Sequence, residues 1–480
     1  MVFSSLLFIF AFLAPQLLIY FLIKKQQTRN IVLLAFSLVF YAWGGPVYLI
    51  LLLLEAFTSW LTARELSRTP YGKMKKAWLV LECTVMIGLI FVFKYTGFFA
   101  WNLQKIFGWP KVIPEIVLPI GISFYTFQLL SYVIDVYRGE VEAQPRFWKI
   151  LLYASLFHQC IAGPIVRYKT VADEIDNREI TAKDVSEGVR RFAVGLAKKA
   201  ILANGCAQIA DKLAPLTADG MSGIHGAGLW LGMFAYMLQI YLDFSAYSDM
   251  AIGMGRMVGF HYLENFDYPY TAGTVQDFWR RWHISLSTFF RDYVYIPLGG
   301  NRKGQGRTYL NLFIVWGLTG LWHGASWNYI LWGLYYFIFL SIERLFLGEI
   351  LKKNMITKII GHIYTLLVVF FGWVLFRYTD SAMLFEVLKG LFGIGHSFAS
   401  LEAGSVFMNN IFFLVLAVVG VFPLGKKLRT LLRRETWRSK QLVLFNTLNV
   451  IDAVVPAGLV ILSVLALVGN SYNPFLYFQF

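Results

Sequence analysis

The sequence predicts an all-α polytopic membrane protein, and three observations carry that prediction. Of its 480 residues 58% are hydrophobic and 15% charged, with a mean hydropathy of +0.58, a composition well outside that of a soluble domain. Apolar runs recur at the length of about 20 residues that a helix needs to cross a bilayer. The basic residues behind the net charge of +15 fall in short clusters between those runs, where they act as topology signals and not as one nucleic-acid-binding face.

Taken in order, residues 4–23 (SSLLFIFAFLAPQLLIYFLI) form the first run, without the basic start and small-residue cleavage site of a signal peptide. Counting comparable runs, among them residues 79–99 and 363–376, gives about ten to twelve membrane segments. By the positive-inside rule Lys24, Lys25 and Arg29, then Arg68, Lys73, Lys75 and Lys76, then Arg302, Lys303 and Arg307, and the basic residues of 426–440 lie on the cytoplasmic side. The chain reads as one integral-membrane domain over 1–480, with scaffold spans at 1–109, a catalytic core at 115–345 and further spans at 355–480. Within the first part Glu55, Glu82 and Lys94 are isolated intramembrane charges, read as structural. Cys83, Cys160 and Cys206 have no ligand spacing and read as buried thiols.

From residue 118 the pattern changes. Ser123, Tyr125, Gln128, Ser131 and Asp135 recur in an apolar helix, and Phe157, His158 and Gln159 precede a helix break at Ala162, Gly163 and Pro164. This block reads as wall. In residues 169–215 a cap at Thr181 opens an amphipathic, interfacial helix whose Arg190, Arg191, Lys198 and Lys199 lie on a solvated or headgroup face. After the run at 229–242, Asp243 and Tyr247, and Ser245 and Asp249, are four apart and share helix faces. Either carboxylate is placed to orient a histidine or to hold a helix end.

The organising stretch is 276–332. If residues 276–291 are one helix, Trp279, Trp282, Leu286 and Phe289 share one face while Arg280, His283, Ser287 and Arg291 share another. His323 follows inside a run that otherwise reads as a span. Ionisable groups in such surroundings face a cavity or a partner, so the two histidines are the candidate centre.

The runs FWRRWHISLSTFFRDYVYIPLGGNRKG and GLWHGASWNYILWG, with SFYTFQLLSYVIDVYRG, HQCIAGPIVRY and YLDFSAYSDMAIG, resemble the membrane-bound O-acyltransferase superfamily, in its bacterial alginate O-acetyltransferase-like branch. The resemblance implies a ring of tilted transmembrane helices, with re-entrant or short helices, around a central tunnel. It places the family's essential histidine on His323 and its second site position on His283. It also implies a cytoplasmic acyl donor, a polysaccharide acceptor, an extracytoplasmic partner protein that completes acetyl transfer, and residence in a bacterial inner or cytoplasmic membrane.

O-acylation requires a hydroxyl to become nucleophilic beside a thioester carbonyl. A neutral histidine suits this task, and a general base contributes about 10² to 10⁴ in rate. His323 is therefore the expected base, and His283 is expected to position a substrate or to stabilise the developing oxyanion. Gly320 and Gly324 allow close backbone approach beside His323. Arg280, Arg281 and Arg291 are candidates for donor phosphates, and Asp243, Asp249, Tyr247, Ser287, Trp282, Trp322 and Asn328 for donor binding or support. No tightly bound cofactor is expected, the donor being acetyl-CoA or another acyl thioester. No metal is expected either, since the His and Asp spacing matches no metal signature. A covalent route through Ser285, Ser287 or a cysteine ranks second, there being no nucleophile elbow. Two other functions stay open: D-alanyl transfer to teichoic acid, and a transporter or flippase with a His/Asp proton relay.

Overall fold

Inside a bilayer no water satisfies the backbone, so a chain this apolar must pair its amides within helices. A computed structural model of the chain describes residues 1–113, 116–160, 163–217, 225–439, 442–469 and 472–474, and among them there are helices and turns but no strand. Six described helices are long and apolar enough to cross a membrane: Pro46–Arg68, Lys73–Phe107, Trp327–Ile350, Met355–Arg377, Leu401–Gly420 and Thr447–Gly469. This is fewer than the about ten to twelve that hydropathy suggests. Residues 4–23 fold as a π-helix Leu7–Leu13 and a short helix Ala14–Leu22, and Ile122–Arg138 is 17 residues long with Gln128 and Asp135 buried in it. Such pieces are too short or too polar to count as spans by themselves.

By internal contacts the chain forms two units interleaved in sequence. One comprises Met1–Val189, Met250–Glu264 and Ser285–Gly300, the other Arg190–Asp249, Asn265–Ile284 and Asn301–Phe480. Residues 115–345 thus contribute to both.

In the first unit Pro46–Arg68 packs along Ile122–Arg138 and Lys73–Ile90. Its buried carboxylates are met by hydroxyls: Glu82 accepts from Ser59 Oγ at 2.7 Å and Thr62 Oγ1 at 3.1 Å, and Glu55 from Thr126 Oγ1 at 2.7 Å. These bonds tie one helix to the next, which fits the structural reading of both acids. The short helix Phe157–Cys160 precedes the break, where Gly163 takes φ +121 and a Cβ would stand 3.1 Å from that of Ala251. Ala162 of that break lies outside the described residues. Ile165 N donates to Ser285 Oγ at 2.9 Å, which binds the loop after the break to the helix Ile284–Phe290. The helix Ala182–Ala197 opens on the expected cap: Thr181 Oγ1 accepts from Asp184 N at 3.1 Å and Asp184 Oδ2 from Thr181 N at 3.2 Å. Cys160 is buried, whereas Cys83 is only half-buried because its helix turns that side outward.

The second unit corrects the reading of the basic residues at 190–199. They do not line a solvated face. Arg191 Nη2 lies 3.0 Å and Lys198 Nζ 2.7 Å from Asp249, and Lys199 Nζ lies 2.9 Å from Asp243, with both of those side chains buried. Arg190 lies 3.9 Å from Asp452. The reason is electrostatic: Asp243 and Asp249 sit in the long apolar helix Gly226–Met257, and a buried carboxylate is tolerated only when a cation is brought to it. The unit's core is unusually aromatic, with Trp279, Trp282, Trp316, Trp332, Tyr336, Trp373 and Phe376 buried in one cluster.

Candidate active site

The site starts at the helix Val275–Arg281. Thr274 caps it, its side chain accepting from Asp277 N at 3.1 Å. The buried Glu343 adds a second cap, its two oxygens accepting from Val275 N at 2.6 Å and Gln276 N at 2.9 Å. The helix then stops. Trp282 is extended, at φ −100 and ψ 129, and His283 takes φ +43, in the left-handed region that an L side chain enters at a cost of about 1–2 kcal/mol. Residues 276–291 are therefore not one helix, and the two expected faces do not exist: Ile284–Phe290 starts afresh, followed by a π-turn at Arg291–Tyr295.

Surrounding bonds hold this break open. Ile284 N donates to Asn265 O at 2.9 Å and Asp267 N to Arg281 O at 2.9 Å. Trp282 packs on Trp373 and Phe266, with ring centres 4.8 and 5.1 Å away. His283, 1% exposed, turns the other way. Its Nδ1 lies 3.1 Å from Asn265 Oδ1, and Asn265 Nδ2 donates to Ser248 Oγ at 3.1 Å. Phe244, one helical turn before Ser248, sets its ring at right angles to the imidazole, 4.7 Å away.

His323 is the last residue of Gln305–His323. Its imidazole is edged by Trp322 at 5.0 Å, Trp332 at 4.9 Å and Phe376 at 5.2 Å. The indole of Trp322 also meets His283, at 5.7 Å. One ring therefore contacts both imidazoles, and the two histidines are no farther apart than those two steps. The glycines beside His323 permit contact with the next helix: a Cβ on Gly320 would stand 2.3 Å from Tyr329 O, and one on Gly324 2.3 Å from Tyr329 Cε2. Asn328 completes the wall by donating to Leu375 O at 3.2 Å and Phe376 O at 3.3 Å.

With this geometry in place, the comparison with known proteins decides the family. The model of the membrane-bound O-acyltransferase family matches residues 138–385, which hold both histidines. This chain belongs to the membrane-bound O-acyltransferase family. It is 38% identical to a probable alginate O-acetylase of Pseudomonas putida across the full length of both chains. It is 34% identical to a peptidoglycan O-acetyltransferase of Helicobacter pylori over 86% of this chain and 84% of the relative. To a teichoic acid D-alanyltransferase of Bacillus subtilis it is 29% identical over 54% of this chain and 68% of that one. The protein is an O-acyltransferase with multiple membrane-spanning helices.

Within this acyltransferase, Trp322 brings His283 and His323 together in the second unit, and Trp282 and Asn328 join them through Trp373 and Phe376. Ser287, half-buried, and Arg291 belong to the first. Arg291 is exposed and engages Asp292 through two bonds, of 2.7 and 3.2 Å. Arg281 pairs with Asp277 at 3.0 Å, and Arg280 is exposed. Asp243 pairs with Lys199, and Asp249 with Lys198 and Arg191, while His283 Nδ1 meets an amide, Asn265. Tyr247 is buried on the same helix. Sequence reasoning missed Asn265, Ser248, Phe244, Glu343, Trp332 and Phe376. Only Ser248 carried a signal, four residues after Phe244 in a stretch already singled out. Asn265 is a lone amide in an aperiodic loop.

Proposed function

We propose that this acyltransferase moves acetyl from a cytoplasmic thioester, acetyl-CoA or a carrier-bound acyl group, to a hydroxyl of an exported polysaccharide or to an extracytoplasmic partner that passes it on. It does so in a bacterial cytoplasmic membrane. The observation that carries this reading is the pair of imidazoles on one indole, Trp322, in a chain whose full-length relative is named as an acetylase.

His323 acts as general base. The acceptor O–H proton passes to its imidazole while the oxygen attacks the thioester carbonyl; the C–S bond then breaks, and the departing thiolate recovers the proton, giving ester and free thiol. Water exclusion by the surrounding tryptophans strengthens the electrostatics of this step. His283 serves the same centre by holding a substrate or the oxyanion.

The test is His323→Ala in cells, with the O-acetyl content of the envelope polysaccharide read by mass spectrometry. Acetylation should fall to background; an undiminished level refutes the assignment of the base. D-alanyl transfer is the second reading, favoured by the 29% identity to the Bacillus relative. Alanine esters in place of acetyl on the polymer would select it. A transporter would instead move protons or solute across vesicles without any acyl donor.

A further inference from the structure

A histidine's chemistry depends on which ring nitrogen carries the proton, and that is set by the hydrogen bond the other nitrogen makes. For His283 that partner is Asn265, whose side chain is spanned at both ends: Oδ1 lies 3.1 Å from His283 Nδ1, and Nδ2 donates to Ser248 Oγ at 3.1 Å. Both partners are fully buried, Asn265 at 0% and Ser248 at 2% exposure, so water does not scramble the arrangement. With the amide in this orientation its oxygen only accepts, which puts the hydrogen on Nδ1. The role left to Nε2 in a neutral ring is that of an acceptor.

Asn265 also grips the main chain, since its carbonyl takes the Ile284 amide at 2.9 Å. With His283 at φ +43 and outside any helix, no helical register aims its ring. Asn265 holds the ring and the peptide that follows it.

We propose that Asn265 is a positioning residue that selects the Nδ1–H form of His283, so that its Nε2 presents a lone pair to the substrate and does not donate a hydrogen to the carbonyl oxygen. This rests on the reading of His283 as a site residue, and it decides between the two roles given to it there. The oxyanion must then be met by other donors.

The experiment uses the full chain, ¹⁵N-labelled at histidine, in lipid nanodiscs, with the ring nitrogens followed by NMR and the His283 signals identified by their loss in His283→Gln. At neutral pH the pyrrole-type signal should belong to Nδ1 and the pyridine-type signal to Nε2. Asn265→Asp, which puts a carboxylate in the same place, should raise the pH at which the ring takes its second proton. Asn265→Ala should mix the two forms and lower polysaccharide acetylation in cells by on the order of tenfold. A wild-type ring protonated at Nε2, or a titration that Asn265→Asp leaves in place, overturns this inference alone. Acetylation that survives His283→Gln overturns the functional reading of His283, whatever the tautomer.

Discussion

At the scale of single residues, the glycines in and just after Gln305–His323 show how local chemistry is set by what lies across the gap. In a helix interior Gly→Ala usually gains about 1 kcal/mol. At Gly317 a Cβ would meet nothing within 4 Å, while at Gly320 it would meet a backbone carbonyl at 2.3 Å, and at Gly324 an aromatic ring edge at the same distance. Backbone cannot yield as a side chain can. We therefore expect Gly317→Ala to leave the melting temperature of the purified protein unchanged or raised. Gly320→Ala should lower it by the equivalent of about 1–3 kcal/mol, and Gly324→Ala by less. Equal melting temperatures for the 317 and 320 variants would show that the two helices do not approach as described. The need for small residues at 320 and 324 was legible from the motif. The partner of His283 was not, because a lone asparagine in a loop carries no periodicity.

At the scale of elements, the short helix Val275–Arg281 is held by groups distant in sequence. Glu343→Ala strips the buried Val275 amide and the part-buried Gln276 amide of their acceptor, at a cost of about 1–3 kcal/mol for the buried one. Hydrogen exchange across residues 275–281 should quicken markedly, with distant helices unaffected; unchanged exchange there would show that Thr274 alone suffices. The cap at Ala182–Ala197 makes a prediction in pH. The Thr181 hydroxyl, with the Thr181 amide, His261 and Arg256, holds Asp184 down to about 2 from its ordinary 3.8. A carboxyl depressed on folding adds stability that is present above its unfolded value and is lost as pH falls through the folded one. Asp184→Asn should therefore lower the melting temperature at pH 5, and the gap to wild type should close between pH 4 and 2. A gap that widens on acidification contradicts the sign. Helix periodicity found the amphipathic helix Ala182–Ala197, and the Thr181 cap was visible three residues ahead of its acid. Periodicity misread residues 276–291 as one helix, since nothing local announces that His283 will take a positive φ.

At the scale of the whole molecule, net charge conceals how the charges are used. Lys199 and Asp243 are buried together in the second unit, and removing one partner of such a pair costs about 3–5 kcal/mol while replacing both with apolar side chains is often near neutral. Lys199→Met should sharply lower the yield and melting temperature of the full chain, and the double variant Lys199→Met, Asp243→Leu should recover most of the loss. Failure of the double variant to recover either would point to work for Asp243 beyond its ion pair.

The sequence by itself determined that this chain is helical, lies in a membrane and belongs with the O-acyltransferases, because apolar length and the two histidine motifs are properties of contiguous residues. Tertiary structure alone decided that the basic residues at 191–199 turn inward to Asp243 and Asp249, that the tryptophan-histidine stretch breaks in two, and that Asn265 meets His283. Each of those outcomes depends on a buried group finding its partner from a remote part of the chain, and the cost of leaving it unpaired outweighs the local preference that a sequence displays.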